Sequence, residues 1–413
     1  MRNGFPHAVL VTALLTLFPG CNQPAPRQST AVSFGDAHAD APAPRRAPIP
    51  VARPTRAIWV ARYHYATPES IRAILDNCAA SGVNTVLWQV RGAGTVAYPS
   101  RLEPWSEEYG FRDPGFDPLA LAVRLAHERG MRIEPWINVT PGWRGLQPPP
   151  IRGQLYHARP KWFLADGQGR RQALTRRDPL TGQPESVYVL LNPCLPEVRE
   201  HIASLAAEIV SRYEVDGLHL DYVRYAWDTT PDGRERLGQD PRTLALYRQA
   251  SGQRPADDRE AWDRWRAEQL TRLVRDVRER VDRLRPGASL TAAVWGDPRA
   301  GRQDYLQNAV GWLRTGLLDA AMPMAYAGAV DKFEADIRAY RSLAPRAHLV
   351  PGVGLYLHVS RAQTARQLAR CEAWGGDFAL FSYDSLWTTS GQAAGADRIR
   401  AARLDVLRSV LPG

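Results

Sequence analysis

A (β/α)8 TIM barrel, an α/β fold with long loops at the carboxyl-terminal face of its strands, is the class this sequence predicts. Three observations predict it. Eight short apolar runs alternate with amphipathic helical segments across residues 54–413, a rhythm that builds a parallel sheet covered by helices. Polar or aromatic residues collect at the carboxyl ends of nearly all these runs, where barrel enzymes carry their sites. No glycine-rich phosphate loop follows the first run, which argues against an open doubly wound sheet.

The first run covers residues 57–63 and is followed by Thr67-Pro68-Glu69-Ser70, a helix start; the helix continues to about Ser81. The second run, 83–91, ends in Gln89-Val90-Arg91. Beyond a loop holding Tyr98-Pro99-Ser100 and Trp105, a helix over 118–129 leads into the third run, 131–138. A long connection with Trp143, a proline cluster, His157 and Trp162 reaches Leu191-Asn192-Pro193, which opens a helix over 196–212. The fourth run is 215–221, and a charged helical region containing Trp262, Trp265 and Arg272 then ends near Arg285-Pro286-Gly287. Runs 289–295, 320–326, 350–356 and 378–383 complete the eight, and a last helix covers 395–410.

Ahead of this body, residues 1–20 read as an export signal: one arginine, an apolar stretch, then a Gly20-Cys21 junction that predicts acylation of Cys21. Residues 21–53, rich in Pro, Ala, Gln, Ser and Arg with no apolar period, read as a tether. No later segment is apolar and long enough to span a bilayer, so attachment to a membrane is expected through lipid alone. These features predict an exported protein of the cell envelope. The formal charge of +10 gives a basic surface, but nothing resembles a zinc finger, a basic helix or an RNA-binding aromatic strand, and no nucleic-acid partner is expected. Cys78, Cys194 and Cys371, an odd set widely spaced, fit neither a disulfide scaffold nor a metal site.

Candidate site residues follow from strand parity. Alternate side chains share a face, so His219 and Asp221 point one way while Leu218 and Leu220 pack under helices. The same parity groups Glu134, Trp136 and Asn138 on the third run, and Gln89 with Arg91 on the second. Trp295, Tyr326 and Asp384 stand at or just beyond the ends of later runs, and Arg224 and Tyr225 follow the fourth. Two carboxylates, amide and guanidinium donors and aromatic faces suit a sugar polymer, which needs acid–base or nucleophilic help at one bond and flat surfaces under its rings. Asp221 and Glu134 are the expected catalytic pair. His219 is expected to fix Asp221, and Gln89, Arg91, Trp136, Asn138, Arg224, Tyr225, Trp295, Tyr326 and Asp384 to hold substrate. With no His-x-His, His-Glu-x-x-His or Gly-x-Ser-x-Gly pattern, neither a metal nor a serine nucleophile is expected, and no cofactor is implied.

Arg56-Ala57-Ile58-Trp59-Val60, Trp88-Gln89-Val90-Arg91, Tyr98-Pro99-Ser100 with Glu103-Pro104-Trp105, and above all the stretch from Asp216 to Tyr225 (DGLHLDYVRY) resemble the glycosyl-hydrolase-like family 10 of bacterial envelope proteins. The resemblance extends through Trp265-Arg266 and Arg272 and implies a barrel glycosidase acting on a glycan, with Asp221 in the place of the family's strand-four aspartate. Relatives often carry His-Ala-Trp where this chain has Glu134-Pro135-Trp136, so Glu134 takes its expected role from its own chemistry. The substrate the resemblance implies is peptidoglycan glycan stripped of peptides. A non-catalytic glycan-binding scaffold and a hydrolase of another extracellular polysaccharide are the alternatives. Which carboxylate is the acid, and whether the course is retaining, inverting or substrate-assisted, stay open at this level.

Overall fold

A computed structural model describes residues 54–178, 181–225, 237–389 and 397–411; the expected signal, the tether and Cys21 lie outside the described residues. The barrel strands are β1 (Arg56–Val60), β2 (Thr85–Arg91), β3 (Arg132–Asn138), β4 (Gly217–Asp221), β5 (Ser289–Trp295), β6 (Ala320–Met324), β7 (Gly352–Gly354) and β8 (Phe378–Phe381). They pair in parallel in the order β6-β5-β4-β3-β2-β1-β8-β7. A parallel bridge between Ala321 and Leu349, with Val350 N–H donating to the Ala321 carbonyl at 3.0 Å, brings β6 to β7 and closes the ring.

Local chemistry sets the elements where the sequence reading put them. Thr67 caps the helix Pro68–Ala80 in a reciprocal box with Ser70, and Asp117 caps Pro118–Glu128 through two backbone N–H groups. The helix Arg259–Leu284 occupies the charged region that carries Trp262 and Trp265. Strands are shorter than the apolar runs at their ends, most of all β7, because the run 350–356 passes into a 3-10 turn at Leu355–Leu357. The glycines of β7 let it approach β6 closely. A Cβ on Gly352 would lie 2.6 Å from the Pro323 carbonyl oxygen, and one on Gly354 2.8 Å from the Tyr326 Cβ.

Parity divides the core in two. Ile58, Val60, Val86, Trp88, Ile133, Ile137, Leu218, Leu220, Leu290 and Val294 face outward into the large apolar layer beneath the helices. Trp59, Leu87, Trp136, Ala293, Met322, Val350, Ala379 and Phe381 fill the barrel interior, with Tyr63, Met324, Tyr326 and Tyr356 packed on it. Burying aliphatic and aromatic side chains of this size stabilises by about 1.5–3 kcal/mol each, so both layers fix strand register. After β3 the chain leaves the barrel for a hairpin pairing Pro141–Arg144 with Tyr188–Leu190 before the helix Pro196–Arg212 returns to β4. Cys78, Cys194 and Cys371 are buried and unbridged. Among the described residues no helix is long and apolar enough to cross a membrane.

Candidate active site

Asp221 closes β4, directly across the ladder from Asn138, the last residue of β3. Both side chains point inward at the carboxyl end of the barrel, and the Trp136 indole N–H donates to the Asn138 amide oxygen at 2.9 Å. The Asp221 carboxylate accepts the Tyr222 backbone N–H at 2.6 Å. That contact forms because Tyr222 has φ 52°, the left-handed region a tyrosine seldom enters, which turns the chain sharply over the aspartate. Asp221 is 6% exposed. Burial pushes its pKa up to about 6 against the pull of Arg224, the Tyr222 N–H and the Trp136 indole. A carboxyl group of this kind keeps its proton up to about pH 6, well above the ordinary aspartate range, and can donate it there.

Asp384 follows β8, on the opposite side of the strand order. The Ser382 hydroxyl donates to its Oδ1 at 2.5 Å, and the His64 Nε2 lies 3.7 Å from the same oxygen. Burial works to raise Asp384, but His64 and Ser382 outweigh it and hold the carboxyl below the ordinary aspartate range. The two aspartates are therefore pushed in opposite directions, one toward the acid and one toward the carboxylate. The barrel interior below carries an aromatic floor: Tyr326 packs on Phe381 (ring centroids 5.1 Å apart), on Tyr356 (6.0 Å) and on Trp59 (6.4 Å). Tyr63 stands beside His64. Its hydroxyl is held protonated by burial and by the nearby charge of Asp384.

The structure does not bring Glu134 to this mouth. Parity was right and depth was not: Glu134 precedes Asn138 by four residues, about 13 Å along the strand. It is 3% exposed, with Oε1 accepting from the Ser289 hydroxyl at 2.7 Å and Oε2 from the Thr291 hydroxyl at 2.6 Å. His219 belongs to the same internal chain. Its Nε2 accepts the Trp59 indole N–H at 3.1 Å, which leaves Nδ1 to donate to the Thr291 hydroxyl at 2.9 Å. Burial lowers the ring's pKa to about 3, so it stays neutral, and its hydrogen bonds go to Trp59 and Thr291, in place of the expected anchoring of Asp221. Glu134→Gln is accordingly expected to keep turnover within about threefold of the parent, because an amide can still answer both hydroxyls. Steady-state assay of the variant checks this; a loss of a hundredfold would restore Glu134 to the chemistry.

Three further expected residues are buried. Arg91 is fully enclosed, its guanidinium forked onto Glu103 at 2.9 and 2.8 Å and donating also to the carbonyls of Asn138 and Pro141, contacts that position the end of β3. Gln89 is 3% exposed and accepts the Arg62 backbone N–H at 3.2 Å. Tyr225 turns away from the mouth, its hydroxyl 3.1 Å from the Cys194 sulfur. Trp136, Asn138, Arg224, Trp295, Tyr326 and Asp384 do stand at the carboxyl ends of their strands. The guanidinium of Arg224 lies 4.3 Å from the Tyr222 ring and 5.3 Å from that of Trp295. Sequence reasoning missed His64, Ser382 and Tyr188; Ser382 was legible as the polar residue between Phe381 and Asp384. Among the described residues no group of three or more His, Cys, Asp or Glu side chains is arranged to hold a metal.

Glycosyl hydrolase DigH of Escherichia coli K12 is 29% identical over 282 residues, 61% of this chain and 56% of that protein. Glycosyl hydrolase YngK of Bacillus subtilis 168 is 24% identical over 271 residues, 61% of this chain and 48% of its own length. The chain thus spans about half the length of these relatives. Among solved structures, the PgaB glycoside hydrolase domain of Bordetella bronchiseptica superposes with a TM-score of 0.59 at 16% identity, covering 86% of this chain and 98% of that domain, a likeness of fold alone. Residues 54–367 match the family Glycosyl hydrolase-like 10, and the chain belongs to it.

Proposed function

We propose that this protein is a glycoside hydrolase of an extracellular polysaccharide, cutting internal bonds in a cleft across the barrel mouth. The observation that carries the reading is the pair Asp221, inward at the carboxyl end of β4, and Asp384, in the turn Tyr383–Ser385 that follows β8, one held toward its protonated form and the other toward its charged form. Environments that separate two carboxyl groups in this way assign acid and base. Asp221 protonates the leaving glycosidic oxygen, and the Asp384 carboxylate activates water or attacks the anomeric carbon. Tyr63 and Tyr326, both only partly buried, supply apolar faces for sugar rings. Family membership supports the glycan as substrate class, and export with acylation at Cys21 belongs to the same proposal.

Peptide-free peptidoglycan glycan is the first substrate to test. A different extracellular polysaccharide is the second reading, favoured by one observation: the residue after Asp221 is Tyr222, whose ring packs against Tyr188 with centroids 5.0 Å apart. Purified protein is incubated with peptide-free strands and, separately, with a panel of neutral and acidic polysaccharides, and the products are read by mass spectrometry. Shortened strands are expected, with loss of at least about a hundredfold in Asp384→Asn. A protein that binds glycan and releases nothing is a scaffold.

The pH dependence follows from the same pair. The rate requires Asp221 protonated and Asp384 ionised. As pH rises through about 6 the acid is lost, so kcat/KM is expected to fall about tenfold per unit above that point. The acid limb is expected below the ordinary aspartate value of about 3.9. An optimum at pH 8 would reverse the assignment of Asp221.

A further inference from the structure

Two helices on the outer wall of the barrel carry positive charge that the protein leaves largely unanswered. The helix Val330–Leu343 follows β6 and the helix Arg361–Ala373 follows β7. They pack side by side, with the rings of Phe333 and Trp374 stacked 6.0 Å apart between them. The exposed positions of the second helix are Arg361, Ala362, Arg366, Ala369, Arg370 and Ala373, arginine and alanine with no acid among them. Its one carboxylate, Glu372, turns toward Arg56, 3.8 Å away.

On the first helix Arg338 and Arg341 are exposed, Arg346 stands just beyond it, and Asp331 at its head is the one exposed acid of the pair. Glu334 is buried and shared by Arg338 and Arg370, so one negative charge answers two positive ones. Arg341 is held at the surface by Trp374, 4.9 Å from its ring and donating to its carbonyl at 3.3 Å. Arg346, Arg361 and Arg366 have no carboxylate partner among the described residues. The charged helix Arg259–Leu284 is built differently: Arg264 is matched by Glu260, Arg272 by Glu268 and Arg278 by Asp282, each four residues away.

A face with basic groups left unmatched attracts an anionic surface, and each arginine held near one strengthens binding about fivefold. The stretch read as a tether joins the barrel at the foot of this same face. Pro54 sits so close to Gly376, just past the second helix, that a Cβ there would lie 3.2 Å from the proline. Thr55 N–H donates to Asp377 Oδ1 at 2.7 Å, and His348, two residues after Arg346, reaches the same oxygen at 3.2 Å.

We propose that the arginine face of these two helices lies against an anionic lipid surface, adding a protein contact to the acyl chain on Cys21. The choice of a membrane as partner rests on the export and acylation proposed above and is independent of the glycosidase reading. Because both helices run along the wall of the barrel, contact through them leaves the mouth open to the side, where a long glycan can enter.

Binding is measured by vesicle co-sedimentation with the chain from residue 21 onward carrying Cys21→Ser, so that no acyl chain contributes. Vesicles of phosphatidylglycerol mixed with phosphatidylcholine are expected to bind at least about a hundredfold more protein than phosphatidylcholine alone, and added salt to weaken the preference. Arg346→Gln, Arg361→Gln and Arg366→Gln together are expected to lower binding about a hundredfold, and lysine at the same three positions to restore it. Arg272→Gln, Arg275→Gln and Arg283→Gln together remove the same charge from the other helix and are expected to change binding by less than about threefold. Equal loss in the two glutamine triples assigns the effect to net charge and overturns the face, as does equal binding to neutral and anionic vesicles. Arginines at 346, 361 and 366 that govern binding to a soluble acidic polysaccharide, with vesicles ignored, overturn the membrane in favour of a glycan. Vesicle binding that depends on these arginines, in a protein whose exported form carries no lipid at Cys21, supports the face and sinks the anchor instead.

Discussion

Asp221→Asn is expected to abolish glycan cleavage and, in the same molecule, to raise stability at pH 8. The loss of turnover, about three orders of magnitude, follows from removing the proton donor from an otherwise intact mouth. The gain in stability follows from burial. A carboxyl group with a pKa of about 6 in the folded protein and about 3.8 in the unfolded chain is raised by folding, so its stabilising contribution is complete below the unfolded value and is lost as pH rises through about 6. By pH 8 the ionised group costs on the order of 3 kcal/mol, which an amide avoids. Urea unfolding of parent and variant at pH 4 and pH 8 should show the difference only at the higher pH. A variant with no advantage at pH 8 would mean that Asp221 is not held as a buried acid, and one that still cleaves would remove it from the chemistry.

Arg91→Met is expected to destabilise the fold by about 3–5 kcal/mol, because it strands Glu103 as a buried charge. Both partners of the pair are fully enclosed. Burial alone would raise the Glu103 pKa, but Arg91 and His201 bring it down to about 2. Its contribution is therefore present above the ordinary glutamate value and is lost as pH falls through about 2. Without Arg91 the carboxyl can take up a proton, so the damage should be smaller at pH 4 than at pH 7, and Arg91→Met with Glu103→Met together should recover part of the loss. Denaturant midpoints of the three proteins at both pH values check this. Equal loss at the two pH values would assign the damage to the severed carbonyl contacts at Asn138 and Pro141.

Period-two alternation was enough to read which side chains face the barrel interior: Trp136, Asn138, His219 and Asp221 all point inward as their parity requires. Depth was not legible. A strand of seven residues carries inward side chains at the bottom as well as the mouth, and Glu134 looks as catalytic as Asp221 until its hydroxyl partners on β5, 155 and 157 residues away in sequence, are seen. Arg91 stands at a strand end, yet the following loop folds back and delivers Glu103 over it. The placement of Tyr225 beside Cys194 was hidden because it follows the left-handed turn at Tyr222. Tyr188 was invisible for a different reason: it sits in an aperiodic excursion whose course is set by tertiary contacts and carries no local signal.

Gly352 and Gly354 meet no part of the aromatic floor with side chains of their own, yet the spacing they permit between β7 and β6 sets where the backbone at Tyr326 stands. The bore of the mouth is thus governed from the seam of the barrel. A single added methyl group there would press on Tyr326 itself, so under the proposed reading substrate preference in such a barrel can drift through backbone spacing while Asp221 and Asp384 stay as they are.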